Sequence, residues 1–580
     1  MQKKIHYLAV TTLLLLLMAG NVFAGVHDML VQCSAKAGKQ VFLNQVIMGD
    51  TLASGKRVDP DRVYVLQRGG LYYINDVIRA YGWDVNIKAQ DSSVTTKPLV
   101  YGWVAPGTTQ IPGDFIDAQG NVRLKNIVLN GMADNNAAYA NFTYRVPVQM
   151  VAFSANGDWT LMVDSCIFGN ASQTELRVWN SIRSVHVTNC IFGESGEMFI
   201  DDVGSGRALD IRKTACDTVE MVNNTFVNGD DRVFRHIGSQ GRLFYFKFEH
   251  NTIVNHGGTY GAIALGKLGK GATSSATKIG GTVSIKNNLF VDPMAFGADT
   301  NQNRQWDFRE NGEPYSASIT DRVNMTMIFH EKEGDSTAAS TFNVAKNYIY
   351  YTPEITSTWA SIKSNYGNPT LQKPTPLSRY IYSKVADSAK AFIDLSAAPG
   401  FKNVPGSMAG FATWFLSPES AGGSGGQASG GSKFVDYQRH PITYYRDTLN
   451  CSYSTSSVAY TGGTDGLPVG DLNWFPDKMK LFTGVNTSSV SAPNAFTLGQ
   501  NYPNPFNPST QITYTLKAAG MTTLKVYNVI GQEVASLVNG IETAGAHEVS
   551  FNASRLSSGV YFYTLRSGNF IETKKMMLTK

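Results

Sequence analysis

The chain has 580 residues, 55 of them glycine, with 43% hydrophobic and only 16% charged residues. That balance fits a turn-rich β protein better than a helical one. The formal charge of +5 falls to +3 if Lys3 and Lys4 leave with an N-terminal leader. Such a field is too mild to hold nucleic acid, so no nucleic-acid partner is expected.

Residues 1–24 read as a secretory signal. Lys3 and Lys4 precede the apolar stretch Leu8 to Met18, and Val22-Phe23-Ala24 suits leader-peptidase cleavage. The apolar stretch is shorter than the roughly 20 residues a spanning helix needs. No later run is longer, so the mature chain is expected to carry no transmembrane segment. The five cysteines, Cys33, Cys166, Cys190, Cys216 and Cys451, are an odd number, and no Cys-x-x-Cys is present. Residues 25–120 are expected to form a cap and the first coils, with Val63, Val65, Ile74, Val77 and Ile78 covering the first coil. An uncapped solenoid end would expose both core and strand edges.

Within 121–417 a short unit recurs: an alternating strand, then Asn or Cys, one further residue and a large apolar one. Copies include Leu161-Met-Val-Asp-Ser-Cys-Ile-Phe168, Val185-His-Val-Thr-Asn-Cys-Ile-Phe192 and Val283-Ser-Ile-Lys-Asn-Asn-Leu-Phe290. The marker positions are Asn126, Cys166, Cys190, Asn224, Asn251, Asn288 and Asn347. Irregular repeats of one coil plus insertions predict a solenoid, and the β-branched and aromatic strands make its coils β. This pattern resembles the pectate-lyase-like superfamily of right-handed parallel β-helices. The resemblance implies a ladder of stacked asparagines in which Cys166 and Cys190 lie one above the other, as buried thiols or as a disulfide.

Strand alternation predicts Leu161, Val163, Val185, Val187, Val219, Met221, Phe246, Phe248, Val283 and Ile285 inside, and Met162, Asp164, His186, Thr188, Glu220, Val222, Lys247, Glu249, Ser284 and Lys286 outside. A second strand set groups Arg177, Trp179, Asp201, Asp210, Arg212, Arg235 and His236. A lyase needs a base beside a uronate carboxylate and a cation on that carboxylate. Arg235, His236, Arg212 and Asp201 are therefore the catalytic candidates, and Arg177, Trp179 and Lys247 the carbohydrate-binding ones. The competing reading is ion pairing on a solenoid face. The Asp-rich calcium cluster and Arg-x-Pro-x-x-Arg run of pectate lyases are absent. So is the ordered acid set of polygalacturonases.

Asp299, Asn301, Asn303, Asp307 and Glu310 place oxygen donors at the spacing of an EF-hand loop, which implies a calcium site. Arg304 occupies the position where such loops carry glycine, so an ordinary polar insertion competes with calcium. Residues 418–432 read as a Gly/Ser-rich loop and 433–485 as a final coil or cap, centred on Thr464 to Phe475.

Residues 486–580 form short alternating strands punctuated by Gly531, Gly545 and Gly559. They contain Asn501-Tyr-Pro-Asn-Pro-Phe-Asn-Pro508, Gly559-Val-Tyr-Phe-Tyr563 and Thr573-Lys-Lys-Met-Met-Leu578. The segment resembles the type A C-terminal sorting domain of type IX secretion cargo. The resemblance assigns the signal to Asn501, Pro503, Pro505, Phe506, Pro508, Gly531, Gly559, Tyr561, Lys574 and Lys575. It implies export through the periplasm to the outer-membrane surface or the medium, with the type IX machinery as partner. The expected whole is an all-β chain, a right-handed parallel β-helix followed by a small immunoglobulin-like β-sandwich. It would bind or act on polysaccharide, with a non-catalytic adhesin or spacer as the alternative.

Overall fold

A computed structural model describes residues 27–33, 41–104, 111–133, 147–196, 199–200, 206–212, 215–237, 243–257, 261–266, 268–269, 280–299, 324–328, 339–366, 371–416, 434–435, 448–482, 496–501, 503–516, 520–542, 545–567 and 570–579. The expected leader, the Gly/Ser-rich loop and Asp201 lie outside these residues. The chain divides into two compact units, Met1–Met479 and Lys480–Lys580.

The first unit is a parallel β-helix. Two ten-stranded sheets and one eight-stranded sheet run along it, each joining strands that follow one another once per coil. The first sheet runs from Asp28–Val31 to Thr341–Ala345, the second from Leu71–Ile74 to Phe392–Asp394, and the third from Ile78–Tyr81 to Thr326–Ile328. Pairing within all three is parallel, with one register shift, between Tyr101 and Gly102 in the second sheet. In the first sheet Leu161 lies beside Val185, then Val219, Phe246, Val283 and Phe342. All six are buried. Met162, His186, Glu220 and Lys247 stand between them with accessible side chains, whereas Val222 and Ser284, expected outside, share that row but are buried.

From Val122–Lys125 onward a sharp bend joins each first-sheet strand to the second sheet. Its first residue is left-handed: Asn126, Ser165, Asn189, Asn223, His250, Asn287 and Lys346 have φ between 51° and 58°. The residue after it turns inward. In the first of these coils that inward residue is Ile127, because Lys125 pairs with Asp164. Asn126 is therefore the bend residue and not the ladder marker expected for it. Asparagine suits both roles, since it tolerates φ > 0 and stacks, and sequence alone left the register one residue out.

From Cys190 onward the inward position is a continuous polar ladder. Oδ1 of Asn224 accepts the Cys190 N–H at 2.9 Å, and Oδ1 of Asn251, Asn288 and Asn347 accepts the N–H of Asn224, Asn251 and Asn288 at 3.0, 2.8 and 3.3 Å. Each Nδ2 donates to a backbone carbonyl of the preceding coil, that of Val187, Met221, Phe248 or Ile285. Every amide is thus satisfied in a dry interior, which otherwise would cost about 1–3 kcal/mol per unpaired group. Cys166 and Cys190 do lie one above the other, the Cys166 N–H pointing at the Cys190 Sγ from 3.4 Å. No disulfide forms among the five cysteines, and all are buried.

Four residues beyond the marker a second ladder runs at the far end of the second-sheet strands. Asn170, Glu194, Asn228, Asn255 and Asp292 all have φ between 49° and 67°. Nδ2 of Asn255 donates to Oδ1 of Asn228, and Nδ2 of Asn228 to Oε1 of Glu194. Between the ladders Phe168, Phe192 and Phe226 stack at centroid spacings of 5.0 and 5.2 Å.

The helix Leu43–Gly49 closes one end, burying Leu43, Asn44 and Ile47. At the other end the helix Arg379–Lys384 is capped by Ser378, whose side chain accepts the Ile381 N–H. Leu377, Ile381, Val385 and Ala391 join the main core there. Val63, Val65, Ile74, Val77 and Ile78 belong to the first coils themselves or the turn within them.

Residues 464–475, expected as a last coil or cap, contribute no strand to the three sheets among the described residues. They form a strap along the outer side of the second sheet. Tyr453, Ala459, Val469 and Phe475 pack on Leu289, Val291 and Tyr348. Polar anchors fix its register: Asp471 accepts from Thr225 Oγ1 at 2.7 Å, Asp465 pairs with His250 at 2.8 Å, and Asn473 Nδ2 donates to the Asn223 carbonyl at 3.0 Å. The strap's Gly470-Asp471 backbone fits only because glycine leaves room. A Cβ on Gly470, at φ +89°, would sit 2.4 Å from Thr252 Oγ1.

The second unit is a small β-sandwich. A three-stranded antiparallel sheet holds Thr497–Leu498, Ser509–Leu516 and Gly545–Asn552. A four-stranded sheet is ordered Glu533–Glu542, Gly520–Asn528, Gly559–Ser567, Phe570–Leu578. Alternation in Ser509–Leu516 buries Thr510, Ile512, Tyr514 and Leu516. They meet Leu524, Val526, Tyr563, Leu565 and Met576 in one apolar core.

Candidate functional site

The outward row of the third sheet places Arg177, Asp210 and Arg235 side by side, in register between Ala152 and Ala264. Arg235 grips Asp210 with Nε and Nη2 at 2.7 and 2.6 Å, and Arg177 reaches the same carboxylate at 3.2 Å. Arg207 stands 4.0 Å from Asp210 and 2.9 Å from Asp231, which also pairs with Arg232. All of these side chains are buried. Burial alone would raise the Asp210 carboxyl, but Arg235, Arg207 and Arg177 hold it well below the usual carboxylate range. Burial pushes the Arg177 guanidinium down to about 10, with Asp210 opposing. Asp114 is raised to about 6 by burial, with a Gln149 hydrogen bond opposing.

The pleat separates residues adjacent in sequence. His236 is in register with Ile211 and Leu265, in the inward row, and is fully buried. Arg235 and His236 therefore lie on opposite faces of one strand. Lys247 sits on the first sheet, 3.8 Å from Glu249, and is not brought to the third-sheet row. Asp299 lies in the strand Ala298–Asp299, paired with Leu371–Gln372. Asn301, Asn303, Asp307 and Glu310 lie outside the described residues.

Trp179 and Arg212 do come together. Trp179 follows the strand Thr174–Val178, whose Val178 pairs with Ile211, so Arg212 is its lateral neighbour. The indole is 39% exposed. The Arg177 guanidinium lies 4.6 Å from its ring centroid on the buried side and that of Arg212 5.7 Å away. Arg177 is committed to Asp210, whereas Arg212 has no carboxylate partner among the described residues. An aromatic platform beside a guanidinium offers a ring-stacking surface and an anion contact together.

His27, Asp59 and Asp61 bring three possible ligand atoms within 4.8 Å of one another. The Asp59 carboxylate is already engaged by His27 at 3.0 Å and by Arg62 at 3.6 Å.

In the second unit most sorting-signal residues are structural. Asn501 is 1% exposed, its N–H donating to Tyr563 Oη and its Nδ2 to Thr510 Oγ1. Phe506 is buried in the core, and Tyr561 donates its hydroxyl to the Ser557 carbonyl at 2.8 Å. Pro503 and Pro505 are exposed, and the carbonyl of Pro508 accepts the Ala553 N–H. Gly531 takes φ +81° at a hairpin tip, and Gly559 opens the strand Gly559–Ser567. Lys574 pairs with Glu572 at 3.4 Å, while Lys575 is exposed.

The strap anchors and the second ladder escaped the sequence reading. The ladder had a signal, a polar residue four positions after each marker from Cys166 to Asn288. The strap had none, since its partners lie more than 100 residues away.

Residues 500–579 match the family described as the secretion system C-terminal sorting domain. No curated protein matches the chain. The solved structure of PorZ, a bacterial surface component of the type-IX secretion system of Porphyromonas gingivalis, aligns at 19% identity with a TM-score of 0.12. That alignment covers 17% of this chain and 13% of PorZ. Among the described residues no helix is long and apolar enough to cross a membrane. The sorting domain directs the chain to the type IX secretion machinery, and so to the cell surface or the extracellular space.

Proposed function

We propose that the exported β-helix binds an acidic polysaccharide outside the cell. A uronate ring would stack on Trp179 with its carboxylate on Arg212. The observation that carries this reading is the exposed indole flanked by a guanidinium that has no carboxylate partner among the described residues. Binding without cleavage is favoured, because Arg235 is tied to Asp210 and His236 lies inside the coil.

The test is a titration of the mature full chain with polygalacturonate, alginate and a neutral glucan. New reducing ends and unsaturated-uronate absorbance would be read in the same samples. Trp179→Ala should weaken uronate binding at least about tenfold, as loss of a stacked aromatic anchor does. Arg212→Gln should weaken polyuronates but not the neutral glucan. Unchanged affinity in both variants would overturn the assignment, and uronate cleavage by the wild type would replace it with a lyase. The spaced oxygens of the loop from Asp299 to Glu310 are proposed to take calcium. Calorimetry with no heat at millimolar calcium would reject that site.

A further inference from the structure

The two edges of the four-stranded sheet in the sorting domain are treated differently. The terminal strand Phe570–Leu578 is sealed by the segment that leads into the domain. The Phe506 N–H donates to the Met577 carbonyl at 2.9 Å, and the Thr579 N–H to the Phe506 carbonyl at 3.0 Å. Asn504 Oδ1 accepts the Met577 N–H, and Gln500 Nε2 donates to the Lys575 carbonyl, both at 2.9 Å. The opposite edge, Glu533–Glu542, pairs with Gly520–Asn528 on one side and with nothing on the other among the described residues.

The guards on that edge are two register shifts against its neighbour and a glutamate at each end. Its ten residues, EVASLVNGIE, contain no lysine, arginine or proline. Val534, Ala535, Leu537 and Val538 are all half-buried, so neither face is given over to polar residues. The turn that enters the strand presents Val529 and Ile530 at 68% and 74% exposure. This turn is built rather than slack. Asn528 Oδ1 accepts the N–H of Ile530 at 3.2 Å and of Gln532 at 2.9 Å, while Gly531 supplies the positive φ. Two large apolar side chains are thereby held in water at the head of an unpaired strand.

We propose that the sorting domain is recognised by β-strand addition along Glu533–Glu542. An extended segment of a type IX machinery protein would be the added strand, and Val529 and Ile530 would anchor in an apolar pocket beside it. Ladder hydrogen bonds supply affinity in this mode, and apolar anchors set the register. The sealed terminal strand leaves the added strand one side of the sheet to choose. The inference rests on the sorting role of this domain, so the full chain lacking residues 496–580 serves as the reference for lost export.

The experiment is export of the full chain from a bacterium that carries the type IX apparatus. Periplasmic and surface-plus-medium fractions would be quantified. The Val529→Asp, Ile530→Asp double variant and, separately, Ser536→Lys, at an exposed position of the edge strand, should reduce the exported fraction at least about tenfold, as loss of a central anchor does. Their melting temperatures should stay at the wild-type value. Ile571→Lys, on the sealed strand, should export normally. Wild-type export by both edge variants would overturn the proposal, as would equal loss in Ile571→Lys. Light scattering that showed a wild-type dimer and monomeric edge variants would assign the edge to a second copy of the chain instead.

Discussion

Asn288→Ala tests the inner ladder at its middle. The Asn288 side chain is fully buried and makes four hydrogen bonds. Its Oδ1 accepts from the Asn251 N–H at 2.8 Å and from Asn251 Nδ2 at 3.1 Å. Its Nδ2 donates to the Phe248 carbonyl and to Asn347 Oδ1, both at 2.8 Å. Truncation strands the Asn251 N–H in a dry interior, at about 1–3 kcal/mol, and removes three further bonds worth about 1 kcal/mol each. Asn251 Nδ2 keeps the Met221 carbonyl and Asn347 Oδ1 keeps the Asn288 N–H, which softens the sum. The expected loss is about 3–5 kcal/mol. Urea unfolding of the mature chain, followed by tryptophan fluorescence and far-ultraviolet dichroism together, measures it. Lys286→Ala, two residues away and pointing outward, should stay within about 0.5 kcal/mol. A loss below about 1 kcal/mol for Asn288→Ala would refute the view that the ladder amides are individually required.

Asp210→Asn should cost about 3–5 kcal/mol, because it leaves three buried guanidiniums without their shared carboxylate. Since the folded carboxyl lies below its unfolded value, its contribution is present above about pH 4 and is lost as pH falls further. Burial raises Asp471 to about 7, with hydrogen bonds from Thr225 and Asn473 opposing. The folded state therefore takes up a proton more readily than the unfolded chain, and strap docking should weaken as pH rises from about 4 to 7. Amide exchange over residues 464–475 would read this, and the slope should vanish in Asp471→Asn. Lys346→Gly should stabilise by about 1 kcal/mol, since Lys346 holds φ +55° at a cost glycine does not bear. Thiol titration of the denatured, unreduced chain should count five thiols, and fewer would contradict the geometry at Cys166 and Cys190.

The coil repeat, the inside set and the sorting domain could all be read from the sequence, because each rests on local periodicity or a contiguous motif. Asn126 shows where such reading fails. Two adjacent positions of the bend both favour asparagine, and only strand register tells them apart. Arg235 and His236 show a second limit. Both were grouped with one set of strands, yet the pleat sends one outward to Asp210 and the other into the core. Trp179 and Arg212 met because neighbouring coils align them, which strand spacing made foreseeable. The strap could not be foreseen, since its anchors join residues separated by 177 to 250 positions.

A solenoid left to itself is a row of nearest neighbours, free to fray from either end and to fold from either end. The strap changes that. Its side chains fasten the Asn223, Thr225, His250 and Asn287 coils to one another from outside, so those coils must open together or not at all. It also sets a timetable. A chain threaded through a membrane from its N-terminus can wind these coils early, but their outer side stays wet until residue 475 has crossed. The middle of the protein is thus completed by nearly the last piece of the first unit to arrive.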